Sequence, residues 1–166
     1  MEKSTCTTTS QHTDLYIYIG LGVLSGNLGF RASLQVTAAK PGVVNFELDV
    51  QKEHTNRLNI LHGGTIASMV DLGGSLAVAS RGLFATGVST DLSVTYLSSG
   101  GKIGDKVLAE VTCDKFGKTL AYTNIKFTNP AGDIVARGSH TKFVALAWKD
   151  PQNIVEQLKE QNEQNP

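Results

Sequence analysis

The residues most able to do chemistry lie in Leu61-His62-Gly63-Gly64-Thr65-Ile66, which reads as a sharp entry into a helix, with a single carboxylate, Asp71, further along an otherwise apolar segment. Glycines at a helix start leave backbone N–H groups uncovered at the positive end of the helix dipole. Such groups suit a carbonyl oxygen that becomes negative during a reaction. Asp71 stands seven positions after Gly64, about two turns at 3.6 residues per turn. A carboxylate is ionised at neutral pH and can take a proton from water or attack a carbonyl itself. The plain alternative for Asp71 is a solvated helix flank or a partner for a backbone donor. For His62 a structural role is favoured over proton transfer.

Other chemistries are poorly served. No Gly-x-Ser-x-Gly elbow occurs. Gly117-Lys118-Thr119 mimics the end of a phosphate-binding loop, but position 112 is Thr and a strand follows, so the turn reading wins, with Lys118 free to meet a phosphate. The histidines at 12, 54, 62 and 140 lack metal spacing, and no metal or cofactor is expected. Lys plus Arg and Asp plus Glu each number 15, and no basic stripe argues for nucleic acid. Cys6 and Cys113 form no Cys-x-x-Cys pair, which fits a reducing compartment. A cytoplasmic location is expected, with a mitochondrial one as the alternative.

The elements that must position these groups follow from periodicity. Residues 1–14 are polar and read as disordered. Leu15 to Leu24 is apolar but glycine-broken and too short for a membrane span. It reads as a strand or loop on the domain edge, with an anchor or targeting signal as the alternative. Ser33 to Ala39 is a strand, and Lys40-Pro41-Gly42 a turn. Val44, Phe46, Leu48 and Val50 alternate with polar residues in a second strand. A polar loop over 52–61 leads to a helix over 64–80, in which Gly73-Gly74 reads as room for another backbone. Strands follow over 87–97, 107–113, 121–127 and 134–144, and the tail from 149 reads as a frayed helix or disordered chain. One helix cannot cover both faces of such a sheet. A curved antiparallel sheet of about six strands around one long central helix, dimerised edge to edge, satisfies both elements. The class is α+β, with an atypical segment over 1–32, one domain over 33–146 and a polar tail over 147–166.

His62-Gly63-Gly64 followed by Asp71 resembles the signature of the hotdog-fold acyl-CoA thioesterases, and the order of elements is similar too. Glu53-His54-Thr55-Asn56, Gly87-Val88-Ser89, Thr95-Tyr96, Gly117-Lys118-Thr119-Leu120-Ala121 and Gly138-Ser139-His140-Thr141-Lys142 extend the likeness, which is greatest to the eukaryotic thioesterase superfamily member 2 group. The resemblance implies that Asp71 is the catalytic base or nucleophile and that Gly63 gives its N–H to the oxyanion. Asn56 and Ser89 would hold water or the carbonyl, and His62 would shape the turn. It implies CoA binding along Tyr96 to Gly101 and at Lys115, Gly117, Lys118 and Thr119. It implies a site shared between two subunits, hence a homodimer and commonly a dimer of dimers. The expected activity is hydrolysis of acyl-CoA, medium to long chain, to free acid and CoA. Two departures are that Leu15 to Phe30 lacks the family's amphipathic helix pattern and that no proline follows Tyr96-Leu97-Ser98. The alternatives are a hotdog hydratase or dehydratase of acyl thioesters, and a non-catalytic acyl-CoA binding protein.

Overall fold

The computed structural model of the protein describes residues 34–164. The readings made for residues 1–32, including the apolar run and its anchor alternative, lie outside the described residues.

Six strands form one antiparallel sheet: β1 (Leu34–Lys40), β2 (Val43–Asp49), β3 (Val88–Tyr96), β4 (Lys106–Phe116), β5 (Leu120–Thr128) and β6 (Ile134–Phe143), in the order β1-β2-β4-β5-β6-β3. The long helix α1 (Gly63–Ala79) packs on the inner face. The α+β class and the six-strand sheet around one helix match the expectation from alternation and 3.6-residue spacing.

The inner face is built by every second residue of each strand. Val44, Phe46 and Leu48 of β2 and Val107, Ala109, Val111 and Cys113 of β4 are buried. Phe46 meets Phe127 of β5 edge to face, with ring centroids 6.5 Å apart. All the apolar positions spaced along α1, from Ile66 to Ala77, are buried, and from Leu72 onward the helix is buried on every side. A helix apolar all round belongs in a core.

Its small residues make room for side chains, not for the backbone that the spacing suggested. A Cβ on Gly73 would lie 3.0 Å from the Phe46 ring, and one on Gly74 would lie 2.3 Å from His140 Nδ1. The helix ends against the β1–β2 turn. Ser80 Oγ accepts the Gly42 N–H at 2.9 Å and donates to the Ala77 carbonyl at 2.8 Å. Gly42 has φ +81°, and a Cβ there would meet the Arg81 guanidinium at 2.5 Å, so glycine suits that turn on both counts.

The polar tail forms a 3₁₀ turn (Ala147–Lys149) and a helix, α2 (Val155–Gln164). Val155 and Leu158 are buried, and the Ile154 N–H donates to the Gly82 carbonyl at 2.9 Å. Trp148 lies against Phe116 with centroids 5.1 Å apart, and its Nε1–H donates to the Gly117 carbonyl at 3.1 Å. The tail thereby braces the β4–β5 turn. Among the described residues no helix is long and apolar enough to cross a membrane.

Among the described residues the β3 edge of the sheet is left open. β3 pairs there only with β6, and Val88, Leu92 and Tyr96 are 62%, 38% and 51% exposed. A long edge strand carrying apolar side chains is a template for pairing with another chain.

Candidate active site

The loop before α1 is pinned by one carbonyl. His54 O accepts the His62 N–H at 2.9 Å and the Thr65 hydroxyl at 3.0 Å. His62 is the N-cap of α1, and its Nδ1 accepts the Gly64 N–H at 2.8 Å. Glycine at 64 leaves room for this cap, because a Cβ there would sit 2.8 Å from that nitrogen and push the His62 ring aside. The His62 carbonyl takes the Thr65 and Ile66 N–H groups. The Gly63 N–H is left without an acceptor among the described residues. The Tyr96 hydroxyl donates to the Gly63 carbonyl at 2.9 Å, so the end of β3 holds the start of the helix. Asn56 stands in the same loop. Its Oδ1 accepts the Leu58 N–H at 2.8 Å and the Ile60 N–H at 3.4 Å, which leaves the side-chain NH₂ as a donor. This end of the helix is a cluster of donors.

Two turns on, the site changes sign. Ser89 Oγ donates to Asp71 Oδ1 at 2.7 Å. The Asp71 side chain is 51% exposed. Ser89 reaches it because β3 bulges at Thr90: Ser89 pairs with Lys142 and Asp91 with Thr141. A bulge re-aims the side chains beside it. Behind this pair lies His140 of β6, fully buried, with Nε2 2.9 Å from Ser89 Oγ and 3.2 Å from Asp71 Oδ1. Burial lowers the His140 pKa from its ordinary 6.5, the Lys142 ammonium lowers it further, and Asp71 and Asp91 pull the other way. Lys142 is itself 3% exposed, and burial lowers its pKa below 10.5 against the pull of Asp71.

One chain brings together Asn56, His62, Gly63 and Tyr96 at the helix entry, and Asp71 with Ser89 further along. It does not bring these two groups to each other. Eight residues separate Gly63 from Asp71, about 12 Å at 1.5 Å per residue. The third group, Lys115, Gly117, Lys118 and Thr119, forms the β4–β5 turn. Leu120 and Val88 both pair with Phe143, whereas Phe127 and Tyr96 both pair with Ala136. The turn therefore sits at the Ser89 end of the sheet, and Tyr96 lies about 23 Å away along the strands, seven steps of 3.3 Å. His140 and Lys142 were not singled out for a role by sequence reasoning. Alternation along β6 puts both in one row with Ala136, Gly138 and Val144, and the fold turns that row inward.

A curved sheet wrapped on one helix, with a free backbone N–H at the helix entry and a hydrogen-bonded carboxylate two turns further along, is the architecture of the hotdog-fold thioester hydrolases. The sequence profile of the thioesterase superfamily matches residues 58–136. The chain is 40% identical over 112 residues to acyl-coenzyme A thioesterase 13 of Homo sapiens, covering 67% of this chain and 79% of that protein. It superposes on zebra fish thioesterase superfamily member 2 with a TM-score of 0.69 at 36% identity, covering 76% of this chain and 93% of that one. A Streptococcus mutans protein solved bound to acetyl CoA superposes with a TM-score of 0.63 at 27% identity, covering 70% and 92%. The chain belongs to the thioesterase superfamily and is a thioester hydrolase.

Proposed function

We propose that the protein hydrolyses acyl-CoA thioesters, medium to long chain, to the free acid and CoA, with each site shared by two copies of the chain. The observation that carries the reading is the half-exposed Asp71 carboxylate held at 2.7 Å by Ser89 beside the open β3 edge. The names of the relatives, an acyl-CoA thioesterase and an acetyl-CoA complex among them, support CoA esters as substrates.

Antiparallel pairing of two β3 strands about their middle residue, Leu92, sets Val88 of one copy against Tyr96 of the other. Ser89 is tied to Asp71, and Tyr96 to Gly63. The same pairing therefore brings Asp71 of one copy to the helix entry of the second. Donor end and acceptor end then face one carbonyl, and the Tyr96 of the second copy joins the end of the sheet that carries Lys118.

The chemistry follows from the groups. Water attacks the thioester carbon, and its proton passes to Asp71 Oδ2. The oxygen that becomes negative is met by the Gly63 N–H and the Asn56 amide of the second copy. Collapse of the tetrahedral species breaks the C–S bond, and the CoA thiolate leaves with the proton held by Asp71. A placed carboxylate base contributes about 10²–10⁴-fold, and an oxyanion donor about 10²–10³-fold. The test is thiol release from a panel of acyl-CoA esters by wild type and Asp71→Asn. Release that depends on Asp71 is expected. No release from any ester by folded dimeric protein would sink the reading.

A further inference from the structure

We infer that His140 is a positioning residue that fixes the Ser89 hydroxyl as a donor to Asp71 and thereby as an acceptor for the attacking water. The inference rests on the hydrolase reading for the role of the water, but the proton arrangement stands on the resting protein alone.

The geometry leaves one consistent placement of protons. Asp71 Oδ1 can only accept, and it takes the Ser89 proton at 2.7 Å. A hydroxyl has one proton and two lone pairs. Ser89 Oγ can then only accept from His140 Nε2 at 2.9 Å, so Nε2 carries the hydrogen. Asp71 Oδ1 lies 3.2 Å from the same nitrogen, which adds attraction between the ring edge and the carboxylate. At the other side of the ring Nδ1 is buried and makes no hydrogen bond among the described residues. It faces the gap that Gly74 leaves, with the Val70 carbonyl close enough to favour a proton but outside bonding geometry. Burial and the Lys142 ammonium both act against a second proton on the ring. A tautomer with hydrogen on Nδ1 and none on Nε2 would need Ser89 to turn its proton away from Asp71 and towards the ring.

With Ser89 giving its proton to Oδ1 and accepting from His140, one lone pair remains. A water that donates one hydrogen to that lone pair and the other to Asp71 Oδ2 has its own lone pair free to attack. Without His140 the hydroxyl is less constrained and can donate to the water instead, which occupies one of the water's two lone pairs, removes an acceptor for its hydrogen and makes it a poorer nucleophile.

The experiment uses the full chain with His140→Leu, His140→Gln, Ser89→Ala and the Ser89→Ala/His140→Leu double variant, all checked for fold by circular dichroism. Loss of one hydrogen bond to a charged network predicts a fall in kcat of about 10–100-fold for His140→Leu, with KM for acyl-CoA changed less than about twofold. His140→Gln, whose side-chain amide can donate in the same place, is expected to recover most of the loss. In the Ser89→Ala background His140→Leu should cost nothing further. Nitrogen-15 NMR of histidine-labelled wild type, with the His140 signal assigned by its absence from His140→Gln, should show hydrogen on Nε2 and none on Nδ1. Hydrogen on Nδ1, or an undiminished cost of His140→Leu without Ser89, would overturn the inference. Wild type without thiol release but with the Nε2–H tautomer would instead remove the hydrolase reading and leave the proton arrangement in place.

Discussion

The flank of α1 beside β3 carries two unlike ends. At Gly63 everything offers hydrogen: a free backbone N–H, the Asn56 amide, and a helix start whose carbonyls are taken up by Tyr96 and the first turn. At Asp71 the groups that face out accept: a carboxylate and a serine that has spent its proton, with a buried imidazole behind them that orients the serine. The first end is backbone fixed by a cap. The second is side chains from three elements. A thioester carbonyl needs both signs within one bond of each other, yet the helix holds them about 12 Å apart. In the proposed dimer each chain would supply the donor half of one site and the acceptor half of another.

The largest effect should come from the acceptor end. Asp71→Asn keeps the shape and removes the base, so turnover is expected to fall by about 10²–10⁴-fold. The side chain is half exposed, so the melting temperature should hardly move. Unchanged thiol release would show that the carboxylate is only a helix flank.

The donor end admits a cleaner cut. Gly63 is the first residue of α1, where proline is tolerated and only the N–H is lost. A Cβ at 63 would touch the Tyr96 ring at 3.2 Å, and Gly63→Ala controls for that contact while keeping the N–H. Gly63→Pro should lower kcat by about 10²–10³-fold beyond Gly63→Ala. Equal activities of the two would remove the Gly63 N–H from the oxyanion site. Mixing refolded Gly63→Pro and Asp71→Asn chains should restore activity, because a mixed dimer holds one intact site. A mixture as inactive as its components would mean that each copy works alone.

The two ends were not equally legible. The donor end lies in one contiguous stretch, and His62-Gly63-Gly64 declares a helix entry by residue type. Asp71 stood out because a charge in an apolar helix is conspicuous. Ser89 was singled out by resemblance alone, since a serine near a strand start has no signature of its own. His140 is 51 residues beyond Ser89 in sequence. Along β6 both parities carry polar residues, Arg137, Ser139 and Thr141 outward and His140 and Lys142 inward. Alternation alone cannot say which row faces the core when both could be solvated. Gly73-Gly74 announced a close approach, and only the fold shows that rings of Phe46 and His140 fill it. The tail's short helix is similarly faint in sequence, because Val155 and Leu158 gain meaning only from where Gly82 lies.

The buried support of the acceptor end should be visible in stability. Gly74→Ala drives a methyl to 2.3 Å from His140 Nδ1, and overpacking of this kind costs about 1–3 kcal/mol. Thermal denaturation should read that loss together with a fall in kcat. The pH dependence has a definite sign. The folded-state pKa of His140 lies below its ordinary 6.5, so as pH falls the unfolded chain binds a proton before the folded one does. Stability from this group is full above about 6.5 and is lost as pH drops towards the folded value. His140→Gln should flatten the acid side of a melting-temperature profile between those limits. A profile of the same steepness would mean that other groups carry the acid loss.

The smallest effect separates the ends by substrate and not by rate. Lys118 lies in the turn that Trp148 and the tail brace, at the Ser89 end of the sheet. If that turn meets a phosphate of CoA, its contact is solvated and worth about 0–1 kcal/mol. Lys118→Ala should then raise KM for CoA esters by up to about fivefold, the equivalent of that energy. Thioesters of a short thiol without phosphates should be untouched, since both lack nothing at Asp71 or Gly63. The effect on CoA esters should also shrink as salt is added, because screening acts on exposed charges. Equal changes for both ester types would move Lys118 from substrate contact to the turn's own structure. A change confined to CoA esters would put the nucleotide at the acceptor end, beside the second copy's Tyr96, and would tie the carrier's recognition to the same pairing of β3 strands that completes the chemistry.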